Sequence, residues 1–478
     1  MNTPFFPDWR HRFGPMGRRV AHLRQQSLLH LDELFGRFLP PALLAQADEG
    51  PNSRERVFTV RRTFFGFLYQ ALNPGCPCRE VVRQIQALFT LHLGRRVDAS
   101  SSAYCQARAR LPWDILPRLR SAAAAHAEKA GQLWHGLRVK VVDGTTVSLP
   151  DTVKNQGAYP QLRSQQPGCG FPLLKLVGVF SLATGALLDY AQGDKHQHEL
   201  GLLRRLLTGF KPGELVLADR GFNSYAWLAL LLGRGVHGLF RLHQARPADL
   251  RQGQRLGKQD RLLTWDKPWQ RPRYLPKFLW KTIPQQLPVR VVRFSLYVPG
   301  FRVRSVTLVT TLLDPKEYPA EELACLYAKR WCVELWFRDI KTSMGMEVLR
   351  GQSPGMVHKE LEMFFIAYNL IRCLQAQAGQ RYAVGPECLS FKGTVDSIRQ
   401  FAGALAQARS RKRQKQILDR LLEVIACDPL PERSGRHEPR AVKRRPKPYP
   451  LLNRPRHQFQ EIPHRSRYRK NQPTKSSS

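Results

Sequence analysis

Four polar residues recur at helical spacing within the stretch Leu323–Leu349, LACLYAKRWCVELWFRDIKTSMGMEVL: Tyr327, Arg330, Glu334 and Lys341. On a helix of 3.6 residues per turn they share one side. A face that sets one carboxylate among Tyr, Arg and Lys makes a poor core and a good anion surface. The carboxylate can hold a metal while its cationic neighbours hold a phosphate. Taken alone, the stripe reads as readily as a solvated helix laced with ion pairs. Two further carboxylates sit where a sheet would present them. Asp143 follows the apolar positions Val139, Val141 and Val142, and Asp219 closes the run Leu215, Val216, Leu217, Ala218. A charge at the end of a buried strand is costly unless paired, metal-bound or exposed at an edge. Each Asp by itself is more commonly a turn residue. Together with Glu334 they form a set of hard oxygen ligands suited to Mg²⁺ or Mn²⁺. Two such ions, about 4 Å apart, would activate an attacking oxygen and stabilise a leaving one in phosphodiester displacement.

The elements that must position these residues follow from the pattern around them. The Glu334 stretch predicts one amphipathic helix from just beyond Pro319 to about Lys341, with Leu323, Leu326, Val333, Phe337 and Ile340 as its apolar positions and Gly345 as its stop. Asp143 lies in a β-rich run, LRVKVVDGTTVSL. PLLKLVGVFSL and GALLDYAQG then read as a hairpin around Thr184-Gly185. A helix over 198–207, the short strand before Asp219, a helix from Ser224 to about Leu232 and the strand VHGLFRL follow. Three strands, then strands alternating with helices, imply a mixed α/β sheet with helices against it. Residues 243–305, rich in Pro, Trp, Arg and Lys, read as a strand-rich insertion, because a structureless connection of that length is uncommon. The flanks read as helical: 1–125 before the core segments 126–242 and 306–350, and 351–430 after them. In the first flank, a helix ending at Gly94, caps at Asp98 and Ser100–Ser102, and a basic helix with Arg108 and Arg110 fit a DNA-binding unit or any helical hairpin. From Arg433 on, the chain is Pro-rich, basic and almost free of acids, which predicts disorder over 431–478 unless nucleic acid orders it.

Composition narrows the partner. The 478 residues carry 76 Lys and Arg against 37 Asp and Glu, a formal charge of +39. A polyanion relieves that self-repulsion. With 42% apolar residues the chain is globular, yet no apolar run approaches the roughly 18–20 residues that span a bilayer. The first residues lack a signal peptide's apolar segment. The expectation is a cytoplasmic, nucleic-acid-facing protein without a membrane partner. Nine Cys are scattered, and Cys76-Pro-Cys78 fits no common zinc spacing. His196 and His198 lack the HExxH partner, so a helix start or the surface suits them better.

At these residues the chain resembles a family, the bacterial DDE transposases of the IS4 type, relatives of the Tn5 transposase. VVDGTTVSLPD resembles the family's first-Asp segment and LADRGFNS its second. Tyr327-x2-Arg330-x3-Glu334-x6-Lys341 reproduces the Y-R-E-K signature with its spacing intact, the most specific part of the likeness. The insertion lies between the second Asp and the Glu, as in the family, and VKRRPKPYPLLNRPR is similar to tails of this group. The likeness covers about 100–455.

That resemblance implies a ribonuclease-H-like core and a Mg-dependent recombinase. Such an enzyme hydrolyses and transesterifies phosphodiesters, cutting at the terminal inverted repeats of its own element and joining them to target DNA. Asp143, Asp219 and Glu334 would bind two Mg²⁺ or Mn²⁺ ions, while Tyr327, Arg330 and Lys341 would contact phosphates near the cleaved end. Synapsis of two double-stranded ends implies a homodimer, and the substrate implies work at the nucleoid. Relatives cut the second strand through a hairpin with a Trp stacked on a flipped base. Trp265, Trp269 and Trp280 could serve, but burial in the inserted sheet suits each better. Two other classes remain open on sequence: a nuclease of the same fold without strand transfer, and a non-catalytic DNA-binding derivative, against which the intact acidic trio argues.

Overall fold

A computed structural model of the chain describes residues 31–45, 57–430 and 458, apart from 95, 165, 167, 244–245, 247–248, 296–304 and 409. Apart from residue 458, the basic tail anticipated as disordered lies outside these residues, as does most of the first 56. Five helices open the described chain: α1 (Leu31–Phe35), α2 (Val60–Leu72), α3 (Cys78–Leu93), α4 (Ser102–Arg110) and α5 (Ile115–Glu128). α3 stops at Gly94, whose φ of 61° is left-handed. Of the two basic residues anticipated on α4, Arg110 is exposed. Arg108 turns inward, its guanidinium 3.9 Å from the Phe67 ring centre and its Nη1 donating to Cys78 Sγ at 3.0 Å.

The middle of the chain builds one sheet. Its strands are β1 (Arg138–Ser148), β2 (Leu173–Ser181), β3 (Leu187–Asp194), β4 (Glu214–Ala218) and β5 (Val236–Arg241). Three short helices lie between them: α6 (Val153–Ala158), α7 (Glu199–Arg204) and α8 (Tyr225–Leu232). The strand order is β3-β2-β1-β4-β5, with β1–β2 and β2–β3 antiparallel and β1–β4 and β4–β5 parallel. That order and those directions define the ribonuclease-H-like core. His198 caps α7, accepting from Leu200 N at 3.2 Å, and Ser224 caps α8 in the same way through Trp227 N.

The segment after β5 adds β6 (Gln254–Gly257), β7 (Asp260–Asp266), α9 (Lys277–Thr282) and β8 (Gln286–Ser295), and β9 (Ser305–Thr310) returns to the core. These strands continue the same nine-stranded sheet in the order β5-β9-β8-β7-β6. Arg290 of β8, fully buried, ties the added strands down. Its Nη2 meets Asp260 Oδ2 at 2.6 Å and its Nη1 donates to Tyr318 O at 2.6 Å, just ahead of the helix that carries Glu334.

That helix is continuous in path but not in type. α10 (Ala320–Ala328) passes through a 3₁₀ turn (Lys329–Trp331) into α11 (Cys332–Arg338), which ends in a π turn (Asp339–Ser343). The regular helix expected to Lys341 therefore ends three residues earlier. Gly345 closes it as expected, at φ 81°, against Pro74. α12 (Pro354–Tyr382) follows and is buried on almost every side. The rest of the helical flank expected over 351–430 is two helices, α13 (Phe391–Gln407) and α14 (Arg411–Ala426). Ser410 starts the second by accepting from Arg413 N at 3.2 Å. One core packs α2, α5 and α10–α14 on one face of the sheet; the other packs α7 and α8 with β8 on the opposite face. Among the described residues no helix is long and apolar enough to cross a membrane, and the Cys residues are free thiols.

Candidate active site

The site begins where two parallel strands end together. β1 and β4 pair up to Val142↔Ala218, so Asp143 and Asp219 are the next residues on neighbouring strands. Side chains alternate along a strand. Val142 and Ala218 enter the core of α7 and α8, whereas Val141 and Leu217 enter that of α10–α12. Asp143 and Asp219 consequently stand on the side of α10 and α11. A glycine lets that helix approach: Gly178 is the partner of Asp143 on β2, and a Cβ there would stand 3.3 Å from the Phe337 ring. Phe337 sits one helical turn after Glu334.

Arg330 links the carboxylates. It is buried, its Nη1 lies 3.7 Å from Asp143 Oδ2 and its Nη2 lies 3.5 Å from Glu334 Oε1. Its Nε is buried with no hydrogen-bond partner among the described residues. Beside it, Trp331 is half-exposed, with its ring centre 5.0 Å from the guanidinium. Burial pushes the Asp143 carboxyl up to about 6. The Gly144 N–H, donated to Oδ1 at 2.8 Å, and Arg330 oppose that shift, while Glu334 and Asp219 add to it. Tyr327 is buried and donates its hydroxyl to Ala218 O at 3.4 Å, at the end of β4. Burial holds its phenol far above the usual range. Lys341 leaves the π turn and donates to Thr145 Oγ1 at 3.4 Å, two residues beyond Asp143. Glu334 remains about half-exposed at 49% of its side chain, the side open to solvent. Among the described residues no three His, Cys, Asp or Glu side chains stand close enough to hold an ion as they lie. Arg330 spans Asp143 and Glu334 instead.

Comparison with known proteins gives this geometry a lineage. The transposase DDE domain family matches residues 134–370, from just before β1 into α12. The transposase InsG of insertion sequence element IS4 from Escherichia coli (strain K12) is 26% identical over 443 residues, covering 89% of this chain and 95% of its own. This chain belongs to the DDE transposases of the IS4 family. The probable transposase of insertion sequence element IS5377 from Geobacillus stearothermophilus is 25% identical over 73% of this chain and 85% of its own. Among solved structures, a piggyBac transposase synaptic complex with hairpin DNA covers 88% of this chain and 87% of its own, at 10% identity and a TM-score of 0.38.

Several features of this transposase escaped the sequence. Thr145, the partner of Lys341, was visible only as the second residue after Asp143 in DGTT. Asp339 and Arg372, which meet behind α11, carried no local signal at all. The three tryptophans part company: Trp265 and Trp280 are partly buried and line a cavity of about 300 Å³ with Arg246 and Tyr225, whereas Trp269 is 98% exposed. Burial, expected for each, fails for Trp269.

Proposed function

We propose that this insertion-sequence transposase cleaves its element's ends and joins them to target DNA with Asp143, Asp219 and Glu334 as the metal-holding residues, and with Arg330, Tyr327 and Lys341 serving the phosphates of the cleaved strand. The observation that carries the reading is the meeting of Asp143 and Glu334 through Arg330 beside the end of β4, where Asp219 begins. The donor set fits Mg²⁺ or Mn²⁺, since all three residues offer carboxylate oxygens. Asp143 is pushed up chiefly by burial, with Glu334 and Asp219 adding to the shift and Arg330 opposing only part of it, so a further cation would be favoured there. When bound, two divalent ions supply activation of the attacking oxygen and charge stabilisation at the leaving one.

The chain's own groups do the positioning. Arg330 offers a planar pair of N–H donors that can move from the carboxylates onto a phosphate, a contact Lys cannot copy. Lys341 brings a point charge over β1 next to Asp143. Tyr327 pins the helix to the end of β4 and keeps its phenol protonated, as a donor. The net charge of +39 suits a double-stranded DNA substrate whose affinity is dominated by phosphate neutralisation. Pairing of two terminal inverted repeats calls for two copies of the chain, working on DNA in the cytoplasm at the nucleoid.

The test is cleavage of a labelled element end in Mg²⁺ by Asp143→Ala, Asp219→Ala and Glu334→Ala. Each should bind the end and leave it uncut. Ca²⁺ should support binding with little cleavage, because its looser coordination positions oxygens poorly. A variant that cuts at near the normal rate removes its residue from the metal set.

A further inference from the structure

Behind the helix that carries Glu334, an ion pair lies within the helical core. Arg372 of α12 places Nη2 3.3 Å from Asp339 Oδ2, and both side chains are nearly buried. Every other arm of the guanidinium is also held. Nε donates to the Tyr368 hydroxyl at 3.0 Å, which in turn donates to Gly185 O at 2.6 Å in the β2–β3 turn. Nη1 donates to Gln375 Oε1 at 2.9 Å, and Gln375 Nε2 reaches Thr394 Oγ1 of α13 at 3.2 Å. The guanidinium is thus fixed by α12, α13 and the sheet before it meets Asp339. Two buried charges are an expensive way to fill such a space, and apolar residues would pack it more cheaply. What the pair provides is direction.

The direction falls on the turn that orients Lys341. Asp339 is the first residue of the π turn and Lys341 the third. A turn closed by i→i+5 bonds advances roughly 80° per residue instead of 100°. By Lys341 the accumulated lag is roughly 60°, set against the helix implied by the Glu334–Lys341 spacing. In this altered phase Lys341 reaches Thr145, next to Asp143. We infer that Asp339 and Arg372 are a positioning pair for DNA joining: by holding the first residue of the π turn they set where Lys341 points over β1. The inference rests on the reading of Lys341 as a phosphate-holding residue.

A double-mutant cycle on the full-length protein tests it, read as the single-turnover rate of joining a pre-cleaved element end at saturating Mg²⁺. Asp339→Asn removes one charge with little change of shape. Asp339→Asn combined with Arg372→Gln removes both and leaves no unpaired buried charge, so it should recover the thermal stability lost by the single variant. Both should join about 10- to 100-fold more slowly, the scale of a displacement of about 1 Å, with end-binding affinity within about twofold. On a Lys341→Ala background the same substitutions should cost less than about twofold, because the group they position is gone. An equal loss on both backgrounds overturns the inference, as does wild-type joining by the doubly neutral variant. Wild-type joining by Lys341→Ala alone would instead overturn the Lys341 reading, and the positioning role with it.

Discussion

Replacing Asp143 by Asn should stabilise the metal-free protein while abolishing cleavage. The carboxyl is pushed from 3.8 to about 6 in the folded chain, chiefly by burial. A folded pKa above the unfolded one means that the protonated form favours folding. That contribution is complete below about pH 4 and is lost as pH rises through about 6. Above pH 6 the ionised group therefore works against the fold. A gap of about two pKa units corresponds to about 3 kcal/mol. That shift is already net of the Arg330 attraction, so replacing the carboxylate by a neutral amide of the same shape should gain about 1–3 kcal/mol. Thermal unfolding in EDTA should show Asp143→Asn melting a few degrees above wild type at about pH 8, with the curves converging below about pH 4. Mg²⁺ should raise the wild-type midpoint and close the difference, since a bound cation offsets the buried charge. An Asp143→Asn protein that melts below wild type at about pH 8 without divalent ions would refute this reasoning.

Two further outcomes concern contacts with phosphate. Arg330→Ala should lose about 10- to 100-fold in joining of a pre-cleaved end, the worth of a charge-assisted hydrogen bond, and Arg330→Lys should lose activity although its charge is kept; a surface ion-pair helix would instead change stability by less than about 0.5 kcal/mol and join normally. Truncation after Ser434 should make the fall of log affinity with log salt shallower, by about 0.9 for each phosphate that the tail neutralises, without abolishing recognition of the cognate end; an unchanged slope would show that the tail does not touch DNA.

The readable part of this transposase was the part written locally. Alternating apolar residues marked the strands around Asp143 and Gly185, and the cap at Ser224 marked the start of α8. The spacing of Tyr327, Arg330 and Glu334 pointed to a helical path with a shared side, although that path changes type at Lys329 and again at Asp339, before Lys341. What stayed hidden depends on partners distant in sequence. Asp339, the first residue of the π turn, pairs with Arg372 on another helix, and no propensity rule sees such a pair. Arg108 looked like an outward basic residue on a short helix, but the Phe67 ring and Cys78 draw it in. The break between α13 and α14 turned on Ser410, one cap among many candidate serines. That β6–β8 extend the sheet beyond β9 is a matter of strand pairing, which hydrophobic alternation leaves open.

The central claim is that Asp143, Asp219 and Glu334 hold the metal together. Fe²⁺ substituted for Mg²⁺, with ascorbate and peroxide, generates hydroxyl radicals that cut the backbone beside the bound ion. The account predicts fragments ending close to residues 143, 219 and 334, suppressed by excess Mg²⁺ and lost when all three acids are replaced by Ala. Cuts confined to other segments, or a pattern unchanged in the triple variant, would contradict it.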